Sequence, residues 1–366
     1  MATTEPGRAG PARAPRGGAV VPSAAAAPGR ARRAGSVSAA RAGSVSSAAV
    51  AAVAVLPVFR VVLAALLAVA GAAAAQAYPN ARLLADPAWL SGRLGDDTML
   101  VVDMRSAAAH ASGHVPGAVS LPVDAIVATV DRVPFELDED SVVGALRAVG
   151  LRSDHTVVIY DDLGMMNAAR LFWTLEYLGH EDVRVLDGGW DAWVEHGGPV
   201  ESGPVATSPS GFEAAPRPGR LVTAEELAGR LGEHGLVIAD ARSRAEYLGE
   251  TTFSGRAGRI PGAVHLPWFD ALTGGDVVPT TQPGWQADLT DPDVERMRPA
   301  AELRAWLEAA GVTPDAEVVT YCQTFWRGAH LYFVLRLMGF EDVRGYDGSW
   351  AEWSVTDLPI ETGAPR

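Results

Sequence analysis

The sequence has 366 residues, 48% of them hydrophobic, and a formal net charge of −14 at pH 7. All 30 basic residues are arginine, which excludes Schiff-base chemistry, pyridoxal phosphate attachment and a Walker A loop, because each requires a lysine. The single cysteine excludes an internal disulfide, a paired-cysteine redox motif and a cysteine-based metal cluster. The length favours about two domains.

The first 77 residues form a leader that holds eight of the arginines and a single acid, so the remainder is strongly acidic and argues against a nucleic-acid partner. Residues 1–47 have too few large apolar side chains to build a core. Arg60 then precedes an apolar run that ends in Ala75-Gln76-Ala77, a pattern typical of a secretory signal. We expect cleavage near Ala77 and an extracytoplasmic protein, periplasmic or secreted. A membrane anchor and an organelle transit peptide remain alternatives, and membrane contact is expected only through the leader.

The rest of the chain contains an internal duplication. Residues 157–193 read "VVIYDDLGMMNAARLFWTLEYLGHEDVRVLDGGWDAW", and residues 318–353 read "VVTYCQTFWRGAHLYFVLRLMGFEDVRGYDGSWAEW". The two segments match except for one extra residue after Asp161. We predict two homologous modules, residues 80–200 and 220–363, with a Pro-, Gly- and Ser-rich linker at residues 201–219 between them.

Each module alternates strands and helices along the chain. In the second module, the capping-box pattern from Thr223 to Glu226 predicts a helix start, and residues 236–240 form a short apolar strand. A helix from Pro299 to Ala310 and a strand over residues 317–321 follow, and then a helix that ends at Gly339. Short, continuously apolar strands separated by helices predict an α/β fold in which each module has a mainly parallel sheet with helices on both faces.

Cys322 is the first residue after the predicted strand at 317–321. In open α/β sheets, ligands bind beyond the carboxyl ends of the strands. The following helix start carries a partial positive charge, and Arg327 adds a full one. Both effects favour a thiolate, so the sequence predicts a nucleophilic cysteine rather than an inert buried one.

The residues "YCQTFWRG", the paired "GHVPGA" and "GRIPGA", and the closing "VRGYDGSWAEW" resemble a tandem rhodanese-family sulfurtransferase. The resemblance covers about residues 80–363. It implies that the Cys322 thiolate takes sulfane sulfur from a donor such as thiosulfate, holds it as a persulfide and passes it to cyanide or a thiol. The first module has Asp161 at the equivalent position, so we expect that module to be catalytically silent and to form one wall of the cleft.

Further residues are expected at the site. Arg327, the loop residues after the cysteine and two other arginines are candidates for substrate binding, and an Asp–Arg pair is expected to support the loops. The substrate-binding candidates are Gln323, Thr324, Phe325, Trp326, Arg327, Arg244 and Arg259, and the supporting pair is Asp240 with Arg242. No cofactor or metal is expected, because His110 and His114 lie in a loop sequence without a third ligand.

Four alternatives stay open at this stage. The four-residue interval between Cys322 and Arg327 is shorter than the five-residue interval of tyrosine phosphatases, which disfavours phosphatase chemistry. Thiosulfate is the favoured donor and 3-mercaptopyruvate is the other candidate. A persulfide carrier with little turnover of free donors, or a purely structural interaction domain, would explain the same fold. The expected partners are small molecules: an anionic sulfur donor and a thiol or cyanide acceptor.

Overall fold

The structure is a computed structural model that describes residues 77–127, 129–130, 133–134, 139–273 and 295–365. Residues 1–76, which contain most of the predicted leader, lie outside the described residues. The chain divides into two units, Met1–Phe59 and Arg60–Arg366, and every element given below belongs to the second unit. Within the described ranges, no helix has the length and apolar character needed to cross a lipid bilayer.

The first module is built around a parallel sheet. Its strands are β1 (Leu84–Ala85), β2 (Met99–Asp103), β3 (Val119–Ser120), β4 (Thr129–Val130), β5 (Val133–Pro134), β6 (Thr156–Tyr160) and β7 (Val183–Leu186). Its α-helices are α1 (Pro87–Ser91), α2 (Ala107–Ser112), α3 (Glu139–Ala148), α4 (Met166–Tyr177) and α5 (Gly189–Glu195). Five strands pair in the order β1-β7-β6-β2-β3, all parallel, while β4 and β5 form a separate antiparallel pair.

The second module repeats this arrangement with four strands. They are β8 (Leu236–Asp240), β9 (Val264–His265), β10 (Glu317–Tyr321) and β11 (Val343–Gly345), in the parallel order β11-β10-β8-β9. Its α-helices are α6 (Ala224–Gly229), α7 (Arg244–Leu248), α8 (Ala300–Ala309), α9 (Trp326–Leu337) and α10 (Ser349–Trp353). Single 3₁₀ turns lie at Ala81–Leu83, Val123–Ala125, Pro218–Arg220 and Trp268–Ala271.

The predicted fold class is confirmed: two parallel sheets flanked by helices make an α/β protein. Four of the five residues are buried in each of the central strands β6 and β10. This double burial explains their continuously apolar sequences, since a strand covered by helices on both faces has no solvent side. The carboxyl ends of β8, β10 and β11 meet at one edge of the second sheet, which is where Cys322 lies.

Two helix starts in the second module differ in their capping. Thr223 caps α6, because its side chain accepts a hydrogen bond from the Glu226 N–H at 3.2 Å. The full reciprocal capping box occurs one helix later, between Ser243 and Glu246 at the start of α7. That box fixes Glu246 at the second module's sheet edge, which matters for the site described below.

The two modules pack through α4 and α9, the helices that follow β6 and β10. All twelve residues of α4 are buried. Phe172 and Phe333 meet edge to face with ring centroids 5.0 Å apart. Nearby, Arg336 of α9 pairs with Glu176 of α4, and their closest N–O distance is 3.1 Å. Burial of these large apolar side chains is the main force that holds the modules together.

The chain segments outside the two sheets also pack against them. In the predicted linker, Phe212 is buried, and the Trp173 indole N–H donates to the Arg220 carbonyl at 3.0 Å just beyond it. At the other end, the Tyr78 hydroxyl donates to the Arg298 carbonyl of the second module at 2.8 Å. The first residues of the described chain therefore contact the second module before the first sheet begins.

Candidate active site

The candidate site is the loop that joins β10 to α9. Cys322 directly follows the strand, and α9 begins at Trp326. The turn into the helix is made by Phe325, which has a positive φ of 64°. Gly328, in the first turn of α9, lies so close to the end of β10 that an added Cβ would be 3.0 Å from the Tyr321 carbonyl carbon. The loop is therefore held tightly between strand and helix.

The start of α10 holds Cys322 in place. The Cys322 N–H donates to the Ser349 hydroxyl at 3.3 Å, and that hydroxyl donates to the Tyr346 carbonyl at 2.9 Å. The Cys322 carbonyl accepts from the Trp350 N–H at 2.9 Å. These bonds use both backbone groups of Cys322, so its side chain has one fixed direction.

A cavity of about 150 Å³ opens above the cysteine. Cys322 is only 1% exposed, so the sulfur is reached through this cavity and not from the general surface. The lining combines the loop with one residue from each neighbouring element: Met166, Phe253, Cys322, Gln323, Thr324, Trp326 and Arg327. Met166 belongs to the first module, so the cavity lies between the two modules.

Arg327 lines the cavity, and its guanidinium is bound by a carboxylate. Its two terminal nitrogens donate to the two oxygens of Glu246 at 2.7 and 2.9 Å. Both side chains are largely buried. Burial alone would raise the pKa of Glu246, but the charge and hydrogen bonds of Arg327 outweigh it and lower the pKa to about 2. Burial alone would lower the pKa of Arg327, and Glu246 together with Cys322 raises it instead.

The predicted supporting pair, Asp240 and Arg242, forms a buried ion pair with an N–O distance of 2.7 Å. Arg242 also donates to the Gly258 carbonyl at 2.8 Å, and the Tyr321 hydroxyl donates to Asp240 at 2.6 Å. The pair thus connects β8, β10 and the "GRIPGA" loop behind the cavity. It is not among the residues that line the cavity.

The first module contains the same arrangement. Asp103 and Arg105 pair at 2.6 Å, Arg105 donates to the Gly113 carbonyl, and the Tyr160 hydroxyl donates to Asp103 at 2.7 Å. Because this module has no cysteine, the Asp–Arg pair serves the fold of both modules rather than the chemistry of one.

Three of the predicted substrate-binding residues next to Cys322 do line the cavity: Gln323, Thr324 and Trp326. The Gln323 side chain is held by its Nε2, which donates to the Ser254 hydroxyl at 2.8 Å. All three side chains are partly exposed, which leaves them accessible to a ligand.

Phe325, which we expected to contact substrate, lies outside the cavity lining. Its side chain is fully buried and packs edge to face on Trp173 of the first module, with ring centroids 4.8 Å apart. On its other side it fills space above Gly345, where an added Cβ would be 2.2 Å from the ring. The positive φ at Phe325 turns the side chain away from the cavity and into the interface between modules.

Arg244 and Arg259, the other two arginines that we expected to bind substrate, also lie away from the cavity lining. Arg259 is buried and donates to the Gly363 carbonyl at 2.6 Å and to Glu361 at 3.2 Å, so it holds the C-terminal segment. Arg244 is exposed at the first position of α7. Neither is among the residues that line the cavity.

Four residues near the sulfur were missed by sequence reasoning: Glu246, Ser349, Met166 and Phe253. Ser349 lies within the repeated segment 318–353, where the first module has Gly189, so a comparison of the copies could have flagged it. Glu246 lies outside the repeated segments. Met166 is the counterpart of Trp326 in the first module, and only the packing of α4 against α9 brings it to the cavity. Phe253 lies in a loop without a repeat counterpart, and its sequence carries no signal.

The loop of the first module is filled by its own carboxylate. Asp161 is buried and accepts backbone N–H groups from Leu163, Met165 and Ala168 at 3.0, 3.0 and 2.8 Å. Burial raises the pKa of Asp161 to about 6, and the three N–H groups counteract only part of that rise. The loop is a backbone nest of the kind that binds anions.

The described residues assemble no group of three His, Cys, Asp or Glu side chains that could hold a metal ion. His110 and His114 stack with ring centroids 4.0 Å apart. The His110 Nε2 atom lies 2.7 Å from the Ala118 carbonyl oxygen, and the His114 Nδ1 atom lies 2.8 Å from the His110 carbonyl oxygen. Their geometry is that of packed side chains.

Two α/β modules, of which one carries a cysteine at the carboxyl end of a parallel strand beneath a small cavity, define a class of cysteine-dependent group-transfer proteins. The Rhodanese-like domain family model matches residues 86–196 and 223–356. The chain therefore belongs to the rhodanese family, as its motifs predicted, and it is a sulfurtransferase.

Individual relatives support this assignment over most of the chain. The "Thiosulfate sulfurtransferase" of Azotobacter vinelandii is 33% identical over 290 residues, 76% of this chain and 97% of that protein. The "Probable 3-mercaptopyruvate sulfurtransferase" of Pseudomonas aeruginosa is 33% identical over 294 residues, 75% of this chain and 96% of that protein. The anaerobic ergothioneine biosynthesis enzyme from Chlorobium limicola, solved with trimethyl histidine, superposes with a TM-score of 0.67 and 26% identity, covering 79% of this chain and 72% of that one.

Proposed function

We propose that the protein transfers sulfane sulfur from thiosulfate to cyanide or a thiol through a persulfide on Cys322. The observation that carries this proposal is the geometry of Cys322: a fixed sulfur at the carboxyl end of β10, reached only through a small cavity that Arg327 lines. The names of relatives such as the Azotobacter vinelandii enzyme support thiosulfate as the donor.

In the first half-reaction, the Cys322 thiolate attacks the outer sulfur of thiosulfate. The S–S bond of the donor breaks, and sulfite leaves with the bonding electron pair. The enzyme retains a Cys–S–S⁻ group. Arg327 lines the cavity at the first turn of α9, so its guanidinium can bind the anionic donor.

The persulfide anion needs hydrogen-bond donors in a site without bulk water. The first module supports a source for them, since its equivalent loop directs three backbone N–H groups at the Asp161 carboxylate. We infer that the corresponding loop after Cys322 offers its own N–H groups to the terminal sulfur. In the second half-reaction, the acceptor attacks that terminal sulfur, and the Cys322 thiolate leaves.

The test is cyanolysis of thiosulfate by the purified protein, measured as thiocyanate formed, with Cys322→Ser as the matched control. We expect turnover in the wild type and none in Cys322→Ser. Mass spectrometry after thiosulfate treatment without acceptor should show one added sulfur atom on the wild type alone. Equal rates in the two proteins, or no added sulfur, would contradict the proposal.

A second candidate donor is 3-mercaptopyruvate. The bidentate bond between Arg327 and Glu246 favours it, because the guanidinium charge at the cavity is already matched by a carboxylate and a singly charged donor needs less compensation than a dianion. Initial rates with both donors, measured side by side at equal pH and ionic strength, decide between them: the physiological donor should have the higher kcat/KM.

We also propose that the protein acts outside the cytoplasm. The signal-like segment before Ala77 supports this, and Tyr78, immediately after the expected cleavage position, binds the second module through its hydroxyl. N-terminal sequencing of protein isolated from its host should give Tyr78 as the first residue. An N-terminus upstream of Arg60 would contradict cleavage.

A further inference from the structure

The charge at the cavity is balanced by a second residue that our sequence reasoning did not place there. Among the described residues that line the cavity, Arg327 is the only charged one. Both of its terminal nitrogens bind Glu246, at 2.7 and 2.9 Å. Glu246 is 2% exposed and does not itself line the cavity, so it lies behind the guanidinium as seen by a ligand.

Glu246 has little freedom to leave this position. The Ser243 N–H and hydroxyl both bind its Oε2, at 3.0 and 2.8 Å, as part of the capping box of α7. Arg242, the next buried cation, is paired with Asp240 and adds no uncompensated charge. Arg327 and Arg242 are therefore each matched by a buried carboxylate.

The silent module lacks this ion pair entirely. Ala109 stands at the position of Glu246, and Asn167 stands at the position of Arg327. The alignment is fixed by shared contacts: Ser106 and Ser243 both cap the helix, and His110 and Tyr247 bind the equivalent carbonyls of Ala118 and Ala263, each at 2.7 Å. Both members of the pair occur in the module that has the cysteine, and neither occurs in the other.

The remaining walls of the cavity are apolar. Met166, Phe253 and Trp326 supply a thioether and two aromatic rings, and Phe253 is partly open to solvent. The first negative charge of a ligand meets the outer face of the Arg327 guanidinium. A second negative charge meets no further cation among the described lining residues and is repelled by the buried Glu246 carboxylate.

We propose that Glu246 is a specificity-determining residue that weakens the binding of dianionic thiosulfate relative to singly charged sulfur donors with an apolar body. This inference rests on the proposed persulfide chemistry. An aryl thiosulfonate represents the singly charged class. The Cys322 thiolate attacks its terminal sulfur, the S–S bond breaks, and an aryl sulfinate leaves with the electron pair, so the enzyme form produced is the same persulfide.

The kinetic test compares kcat/KM for thiosulfate and benzenethiosulfonate in the wild type and in Glu246→Gln, with cyanide as acceptor. We expect Glu246→Gln to shift the kcat/KM ratio toward thiosulfate by about tenfold relative to the wild type, through a lower KM for the dianion. Glu176→Gln is the matched control, since it removes the carboxylate from another largely buried Arg–Glu pair that does not line the cavity. It should leave the donor ratio unchanged.

A binding test separates this inference from the proposed function. In the Cys322→Ser background no sulfur can be transferred, and calorimetry measures the Kd of each donor with and without Glu246→Gln. Tighter thiosulfate binding by about tenfold, with benzenethiosulfonate nearly unchanged, supports the role of Glu246. An equal effect on both donors, weaker thiosulfate binding, or binding of neither donor in either protein overturns it. Absence of Cys322-dependent turnover in the wild type would instead refute the proposed function.

Discussion

The loops that follow β6 and β10 have the same architecture, but the first holds a carboxylate and the second holds a cysteine. In the first module, the Asp161 carboxylate fills the backbone nest with three hydrogen bonds of its own. In the second, the loop is one residue shorter, and Cys322 brings a single sulfur atom beneath an open cavity. The backbone N–H groups of the first loop bind the loop's own carboxylate, whereas a cavity lies above the sulfur of the second loop.

What the two modules share is the frame around the loop. Each has a buried Asp–Arg pair with a tyrosine hydroxyl on the aspartate. Each starts the helix after the loop with a residue of positive φ, Met165 at 65° and Phe325 at 64°. The cysteine and the Glu246–Arg327 pair occur in the second module and not in the first, and for this reason we expect the first module to be catalytically silent.

The largest expected effect comes from making the second loop resemble the first. In Cys322→Asp, a carboxylate replaces the sulfur and can accept the loop N–H groups as Asp161 does. We expect a loss of turnover of at least about 10⁴-fold, because a carboxylate cannot carry sulfane sulfur. The measurement is thiocyanate formation, with thermal unfolding to verify the fold. Residual turnover above that of Cys322→Ser would contradict the comparison.

Phe325→Ala should act on stability and not on donor choice. The variant leaves a void between the modules beside Trp173, and substitutions of this kind cost about 3–5 kcal/mol of unfolding free energy. Met165→Ala is the counterpart in the silent module and should be destabilising to a comparable degree. Both are measured by denaturant unfolding. If Phe325→Ala changed the ratio of the kcat/KM values for thiosulfate and 3-mercaptopyruvate, Phe325 would contact the substrate despite its burial.

The pH dependence of stability should reveal the buried carboxylate of the silent loop. The pKa of Asp161 is raised from 3.8 to about 6, so the folded state keeps this proton to higher pH than the unfolded chain. Its stabilising contribution is present below about pH 4 and is lost as the pH rises through 6. The loss amounts to about 3 kcal/mol over this window.

Asp161→Asn isolates this contribution, because the substituted side chain does not titrate. We expect the unfolding free energy of the wild type relative to Asp161→Asn to fall by about 3 kcal/mol between pH 4 and pH 7. Glu246, whose pKa is lowered to about 2, gives stability that is present above pH 4.5 and is lost below it; this term is common to both proteins and cancels. A difference that is constant with pH would show that Asp161 stays ionised when folded.

The smallest effect tests the wall that the silent module contributes. Met166→Ala removes an apolar side chain from the cavity without touching the loop of Cys322. We expect KM for benzenethiosulfonate to rise about fivefold, since a thioether contact is worth about 1 kcal/mol. Met338→Ala, a buried methionine that does not line the cavity, should leave KM unchanged. An equal KM change in both variants would argue against a direct contact.

The fold was predictable because its signals are local and repeated. The apolar strands at 236–240 and 317–321 and the helix that ends near Gly339 follow from short windows of sequence, and the duplication confirms each window independently. Cys322 was also accessible to this reasoning, because the residue after a buried parallel strand lies at the ligand-binding edge of the sheet.

The remaining features of the site depend on contacts that are distant in sequence. Glu246 reaches Arg327 across 81 positions, and nothing in its own helix predicts that partner. Phe325 was expected at the cavity because it belongs to the loop after Cys322, yet it has a positive φ and its ring packs against the first module. Met166 comes from the other module, so its role exists only after the two modules have packed.

The burial of Cys322 limits the size of the molecule that can accept sulfur from it. A side chain that is 1% exposed at the base of a cavity of about 150 Å³ admits a small molecule and excludes the surface of a folded protein. Sulfur held there is shielded from the many protein thiols of its surroundings, so the cavity works as a size filter on delivery. We therefore expect sulfur carried on Cys322 to leave on a small thiophile, or on a protein acceptor that can insert a narrow, extended end.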